Sequence, residues 1–289
     1  MSDINEKFEQ LIDRFTKWAE KQDDIRGAFI IGSRARKDIP GDEWSDLDLP
    51  IITSDPDRYI NDTRWLHNIG KHYLTFLEKT PNDEGIERRV LFEGGLDVDF
   101  PITPLSVFNN HTLNDDDLLM LYRGFRILVD KDDRLAAIGE NLPDKPRPNH
   151  PSPAEFDNCV NDFFYHAVLA VKKFKRGELF YAKSVCDSYM KRLLLSMISW
   201  HARAKHGLDY DVWHDSRFFE RWANFEFVDG LGKAYATYSA EDFPRALRET
   251  ISLFRLAAIK TAEILVYNYP DEGDKYSVGL IEEYLTRKY

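Results

Sequence analysis

The sequence predicts an α/β (α+β) N-terminal domain followed by a C-terminal helical bundle. Three observations carry this. Short apolar runs rich in β-formers alternate with helical periodicity across residues 3–105. A proline-rich tract, NLPDKPRPNHPSP at 141–153, then breaks the pattern, because proline suits neither a helix interior nor a central strand. Beyond it the apolar residues recur almost only at helical spacing. The expected organisation is a first domain at 1–140, a linker at 141–153 and a helical domain at 154–289.

Element by element, Ile4, Phe8, Leu11, Ile12, Phe15 and Trp18 fall on one face of a helix over 3–21. Residues 25–31 read as a buried strand stopped by Gly32. A polar loop with Pro40 and Gly41 spans 33–45, and DLDLPIIT at 46–53 reads as a second strand. A helix is expected over 62–71, and strands over 72–79, 87–94, 96–103 and 126–132. Gly94-Gly95 marks a hairpin between two of these strands. In the second half, long helices are expected over 153–175, 178–206 and 243–268.

The bulk numbers bound the function. At 289 residues with 43% hydrophobic and 13% aromatic content, the chain is long enough for two cores and composed like a globular protein. A net charge of −11 argues against a duplex-binding protein, which needs a basic footprint. Cys159 and Cys186 sit among apolar residues, as small buried side chains in a reducing compartment do. No apolar run is long enough to cross a membrane, and the N-terminus has no apolar leader pattern. The expected location is the cytoplasm.

The chemistry concentrates in FIIGSRARKDIPGDEWSDLDLPIIT, residues 29–53. Side chains two apart on a strand share a face, so Asp46 and Asp48 point together while Leu47 and Leu49 point to the core. Asp97 and Asp99 repeat the pattern in a later strand. If the strands are neighbours, carboxylates converge, and they cannot all ionise without a counter-charge. Magnesium fits, because it takes oxygen ligands and is commonly held by one or two carboxylates plus substrate phosphates. Two such ions clamp the attacking and leaving oxygens of a displacement at phosphorus. Gly32 allows close backbone approach to a phosphate, Ser33 adds a hydroxyl, and Arg34 adds charge to an anion nest. A Gly-Ser pair alone is a turn, and a D-x-D alone is often a solvated edge; the ordered combination makes the signal.

This stretch resembles the signature of nucleotidyltransferases with a polymerase-beta-like fold, and more narrowly the aminoglycoside 6-adenylyltransferases that modify streptomycin. LFEGGLDVDFPITP (91–104), PSPAEFDNCVNDFF (151–164) and LLLSMISWHARAKHG (193–207) are similar to that branch as well. The resemblance implies an N-terminal domain with a mixed sheet, a helical domain after it, and a site in the cleft between them. It implies ATP and Mg2+, AMP transfer to a hydroxyl of the drug, and release of pyrophosphate. By position, Asp46 and Asp48 match the metal pair, and Asp99 the third carboxylate, a metal ligand or the base for the acceptor hydroxyl. Gly32 and Ser33 match the phosphate-binding turn. Pro50 and Pro101 follow the carboxylates by two residues and call the strand ends into question.

In the helical half, Lys172 and Arg176 share a helix face in VKKFKRGELFYAK and are candidates for gripping the triphosphate; the plainer reading is a solvated basic face. Lys191 and Arg192 are weaker ones. Glu155 is a candidate contact for a cationic acceptor, though Ser152-Pro153-Ala154-Glu155 also reads as a capping box. Asp162, with no such second role, is the preferred substrate contact, since carboxylates bind guanidinium groups in bidentate fashion. His201 and His206 lack the spacing of a zinc site. The expected partners are ATP and a cationic small molecule, with no nucleic acid and no membrane, for a monomer or homodimer. Two alternatives stay open: a different small-molecule hydroxyl as acceptor, and a nucleotide-binding module without catalysis.

Overall fold

The computed structural model describes residues 3–36, 38–80, 85–213 and 216–287. No regular element lies between Glu140 and Pro153, and the chain divides into two compact units, Met1–Pro146 and Arg147–Tyr289.

The first unit is built on a mixed sheet. Its strands among the described residues are β1 (Ile25–Ile30), β2 (Leu47–Asp48), β3 (Ile51–Thr53), β4 (His72–Lys79), β5 (Ile86–Phe92), β6 (Leu96–Pro104) and β7 (Arg126–Asp130). The order is β4-β5-β6-β3-β1-β7, with β2 also paired to β6. β2 and β3 run parallel to β6, and the remaining pairs are antiparallel. Helix α1 (Asp3–Ala19) buries Phe8, Leu11, Ile12, Phe15 and Ala19 in the same core as Leu47, Leu49, Val98 and Phe100. Shorter helices follow: α2 (Pro56–Asn61), α3 (Leu105–Asn110), α4 (Asp115–Arg123) and α5 (Arg134–Glu140).

Two expectations for this unit need correction. The segment 46–53 is not one strand. Pro50 has no N–H for the ladder, so β2 and β3 are separate pieces. Pairing bridges the gap: Leu49 N donates to Asp99 O at 2.8 Å, and Phe29 N to Pro50 O at 3.3 Å. By contrast, β6 runs through Pro101 unbroken. The helix expected over 62–71 is only a 3-10 turn, Arg64–Asn68, which buries Trp65 and Leu66. Its apolar residues are enough for one turn, and β4 begins at His72.

Among its described residues the second unit contains helices and no strand: α6 (Pro153–Lys175), α7 (Leu179–Ser184), α8 (Met190–His206), α9 (Phe219–Trp222), α10 (Phe225–Lys233), α11 (Phe243–Leu265) and α12 (Asp271–Thr286). Phe163 of α6 stacks on Phe254 of α11 with centroids 3.7 Å apart, at the centre of a separate apolar core. Cys159 and Cys186 are buried and unbridged, as the sequence suggested. The single helix expected over 178–206 is interrupted by a π turn at Val185–Tyr189. There the Lys191 ammonium, 2% exposed, bonds the carbonyls of Cys186 and Ala234 and the Thr250 hydroxyl. Lys191 is therefore an interior tie and not a phosphate ligand. Among the described residues no helix is long and apolar enough to cross a membrane.

Helix α6 starts with both halves of a capping box: Glu155 N donates to Ser152 Oγ at 3.2 Å, and Ser152 N donates to Glu155 Oε2 at 2.7 Å. Ser152→Ala leaves the Glu155 amide without its side-chain acceptor. The expected loss is about 1 kcal/mol, read as a lower urea midpoint with an unchanged slope; an unchanged midpoint would remove the cap from the account.

Candidate functional site

The site begins where β1 ends. Ile31 N donates to Asp48 O at 3.1 Å, which lays the end of β1 beside β2. The chain then turns sharply at Gly32, with φ +68°, into a single 3-10 turn, Gly32–Arg34. A Cβ at Gly32 would fall 2.0 Å from Asp48 Oδ2, so only glycine fits so close to this carboxylate. Ser33 is buried, and its hydroxyl donates to Asp46 O at 3.3 Å.

Arg34 is turned back onto the protein. Its guanidinium donates to the backbone oxygens of Asp46 (3.1 Å), Ser45 (2.6 Å) and Asp42 (3.2 Å) and to Asn5 Oδ1 (3.2 Å). It also lies over the Phe8 ring, 3.5 Å from the centroid. These bonds close the loop that delivers Asp46 and leave the group little capacity for a ligand.

The parallel pairing of β2 with β6 sets Asp48 directly beside Asp99. Leu47 and Leu49 are fully buried on the opposite side, as alternation requires. Asp46, Asp48 and Asp99 each offer an oxygen, and these oxygens lie within 4.8 Å of one another. Asp97 is exposed and lies outside this group. Asp99 is 7% exposed. Burial is the main reason its pKa is pushed up to about 7; Arg89 opposes the rise, while Asp48, Glu87 and Asp46 add to it. Three hard oxygen donors within 4.8 Å of one another fit a divalent cation such as Mg2+.

The sequence reading missed Arg89. It sits opposite Asp99 in the β5–β6 hairpin, with Nη2 3.3 Å from Asp99 Oδ2. Its Nε lies 2.8 Å from Glu78 Oε1 and 3.0 Å from Glu87 Oε1, and Glu87 is only 5% exposed. The signal was available: counting outward from the Gly94-Gly95 turn pairs position 89 with 99.

Two of the candidates in the second unit come together. Asp162 and Glu155 line one cavity of about 430 Å³ together with Asn158, Cys159, Ser196 and Trp200. Asp162 is already partnered: His166 Nδ1 lies 2.6 Å from Oδ1, and the Tyr189 hydroxyl donates to the carboxylate at 3.0 Å. Glu155 is engaged in the capping box of α6, accepting from Ser152 N and Ser152 Oγ at 2.7 Å each. Lys172 and Arg176 are exposed near the end of α6, and Arg176 pairs with Glu178 at 2.6 Å. His201 is buried against Phe227, with ring centroids 5.1 Å apart, and burial lowers its pKa.

The raised pKa of Asp99 gives a sign for stability in the absence of metal. The unfolded carboxyl loses its proton near 3.8 and the folded one near 7, so the folded state binds the extra proton in between. Stability in EDTA therefore falls as pH rises through this window and levels off above it. Asp99→Asn removes this decline, so the variant melts higher than wild type at pH 8 and nearer to it at pH 5. Parallel melting curves for the two proteins from pH 5 to 8 would contradict the assignment.

Comparison with known proteins places the chain. The profile of the streptomycin adenylyltransferase family matches residues 6–287. An aminoglycoside 6-adenylyltransferase of Bacillus subtilis (strain 168) is 25% identical over 284 residues, covering 94% of this chain and 97% of that protein. One from Campylobacter jejuni is 24% identical over 290 residues, covering 97% and 96%. A crystal structure of an aminoglycoside 6-adenyltransferase from Bacillus subtilis aligns over 96% of this chain and 99% of its own, with 21% identity and a TM-score of 0.47. With its carboxylate trio and glycine turn inside a match that spans nearly the whole sequence, the chain belongs to the streptomycin adenylyltransferase family, a family of nucleotidyltransferase enzymes.

Proposed function

We propose that this protein transfers AMP from ATP to a hydroxyl of an aminoglycoside, with the 6-position of streptomycin as the first assignment, and releases pyrophosphate. The observation that carries the reading is the convergence of Asp46, Asp48 and Asp99 beside the Gly32 turn.

In this reading Asp46, Asp48 and Asp99 hold Mg2+, two ions in the full complex. When bound, the metal polarises the phosphoryl oxygens and offsets the charge that develops in the displacement. The other steps belong to the chain. The backbone around Gly32 and Ser33 cradles the phosphates, next to the Asp48 carboxylate. Asp99 accepts the proton of the acceptor hydroxyl as attack develops, because a neutral alcohol is a poor nucleophile. Arg34 serves by holding the Asp42–Asp46 loop and is not assigned a phosphate contact. In the helical unit, Lys172 and Arg176 are the candidate triphosphate contacts, and the cavity of Asp162 and Glu155 is the candidate subsite for a cationic group of the drug. ATP as substrate and two unbridged cysteines fit a cytoplasmic enzyme.

The test is pyrophosphate release from ATP and Mg2+ with and without streptomycin, for wild type and Asp99→Asn. The expected result is streptomycin-dependent release that drops by about 100-fold or more in the variant. Release that depends on another aminoglycoside moves the acceptor assignment. Magnesium-dependent ATP binding with no release for any aminoglycoside would overturn the transfer reaction.

A further inference from the structure

Asp99 has two flanks. On one, β2 brings Asp48, a like charge in register with it. On the other, β5 brings Arg89. Arg89 does not hang free: Glu78 and Glu87 hold its Nε edge, at 2.8 and 3.0 Å, and Nη2 is left to meet Asp99 at 3.3 Å. Glu87 is nearly buried and lies opposite Glu78 in the β4–β5 ladder, so the anchor is fixed by strand register. A carboxylate facing two others is pushed away from them unless something holds it.

We infer that Arg89 is a positioning residue for the transfer reaction: anchored by Glu78 and Glu87, it holds the Asp99 carboxylate in place beside Asp46 and Asp48. This rests on the carboxylate trio being the metal site of the proposed function. Groups that orient a metal-binding side chain typically change metal affinity or activity by about 10- to 100-fold when removed. A guanidinium that only screened negative charge would act with the opposite sign: its removal would tighten cation binding.

The experiment is calorimetric titration with Mn2+ alone, without nucleotide, at pH 8. Wild type, Arg89→Gln, Arg89→Lys, Glu87→Gln and the Arg89→Gln/Glu87→Gln double variant are compared per mole of folded protein. Arg89→Gln is expected to bind Mn2+ about 10-fold more weakly. Arg89→Lys recovers part of the loss. Glu87→Gln shows a smaller loss, and the double variant binds no more weakly than Arg89→Gln, because Glu87 acts through Arg89. In pyrophosphate release, kcat falls in the same order while KM for ATP holds. Unchanged or tighter Mn2+ binding by Arg89→Gln would overturn the inference. If wild type releases no pyrophosphate with any aminoglycoside, the proposed reaction fails, and the Mn2+ series still decides the role of Arg89.

Discussion

Mutual repulsion among Asp46, Asp48 and Asp99 is the constraint on which the first unit depends. Their oxygens lie within 4.8 Å of one another. At an effective dielectric of about 20, each ionised pair at that distance costs roughly 3.5 kcal/mol. The fold brings these charges together by means that cannot relax. β2 and β6 are hydrogen-bonded neighbours, and Leu47, Leu49, Val98 and Phe100 anchor their other faces in the core under α1. Arg34 closes the loop that leads into Asp46, and Gly32 removes the side chain that would collide with Asp48. Burial of Asp99 first, and the neighbouring Asp48, Glu87 and Asp46 carboxylates after it, push its pKa up to about 7 against the opposing Arg89.

The second unit follows a different logic. Its stability comes from aromatic packing around the Phe163–Phe254 stack, and its polar interior groups are tied off one by one, as Lys191 shows. Asp162 is held by His166 and Tyr189, with one face toward the cavity it shares with Glu155 and Trp200. In the proposed reaction, a carboxylate fixed in this way would present its charge to a cationic group without ordering a mobile side chain.

Much of this was legible in the sequence because it follows from the period of two along a strand. The spacing of Asp46 and Asp48 set their shared face, and Leu47 and Leu49 marked the buried one. The capping box at Ser152 and the long helices of the second half were equally local signals. The rest depended on contacts distant in sequence. Nothing near Arg34 says that its guanidinium closes a loop and stacks on Phe8. The break between β2 and β3 was signalled by Pro50, but the hydrogen bonds that carry pairing across it come from β1 and β6. The role of Arg89 rests on its cross-strand position: the apolar pattern of its own strand does not mark it, and only the hairpin register places it opposite Asp99. The π turn before α8 has no sequence mark beyond a lysine among apolar residues.

The most direct test of the central claim is a crystal structure of the protein soaked with Mn2+ and a non-hydrolysable ATP analogue, with the anomalous signal of the metal recorded. The account predicts anomalous density at coordination distance, about 2.1 Å, from oxygens of Asp46, Asp48 and Asp99, with the analogue's phosphates against the Gly32–Ser33 turn. Metal bound elsewhere, or nucleotide bound away from that turn with the three carboxylates bare, would contradict it.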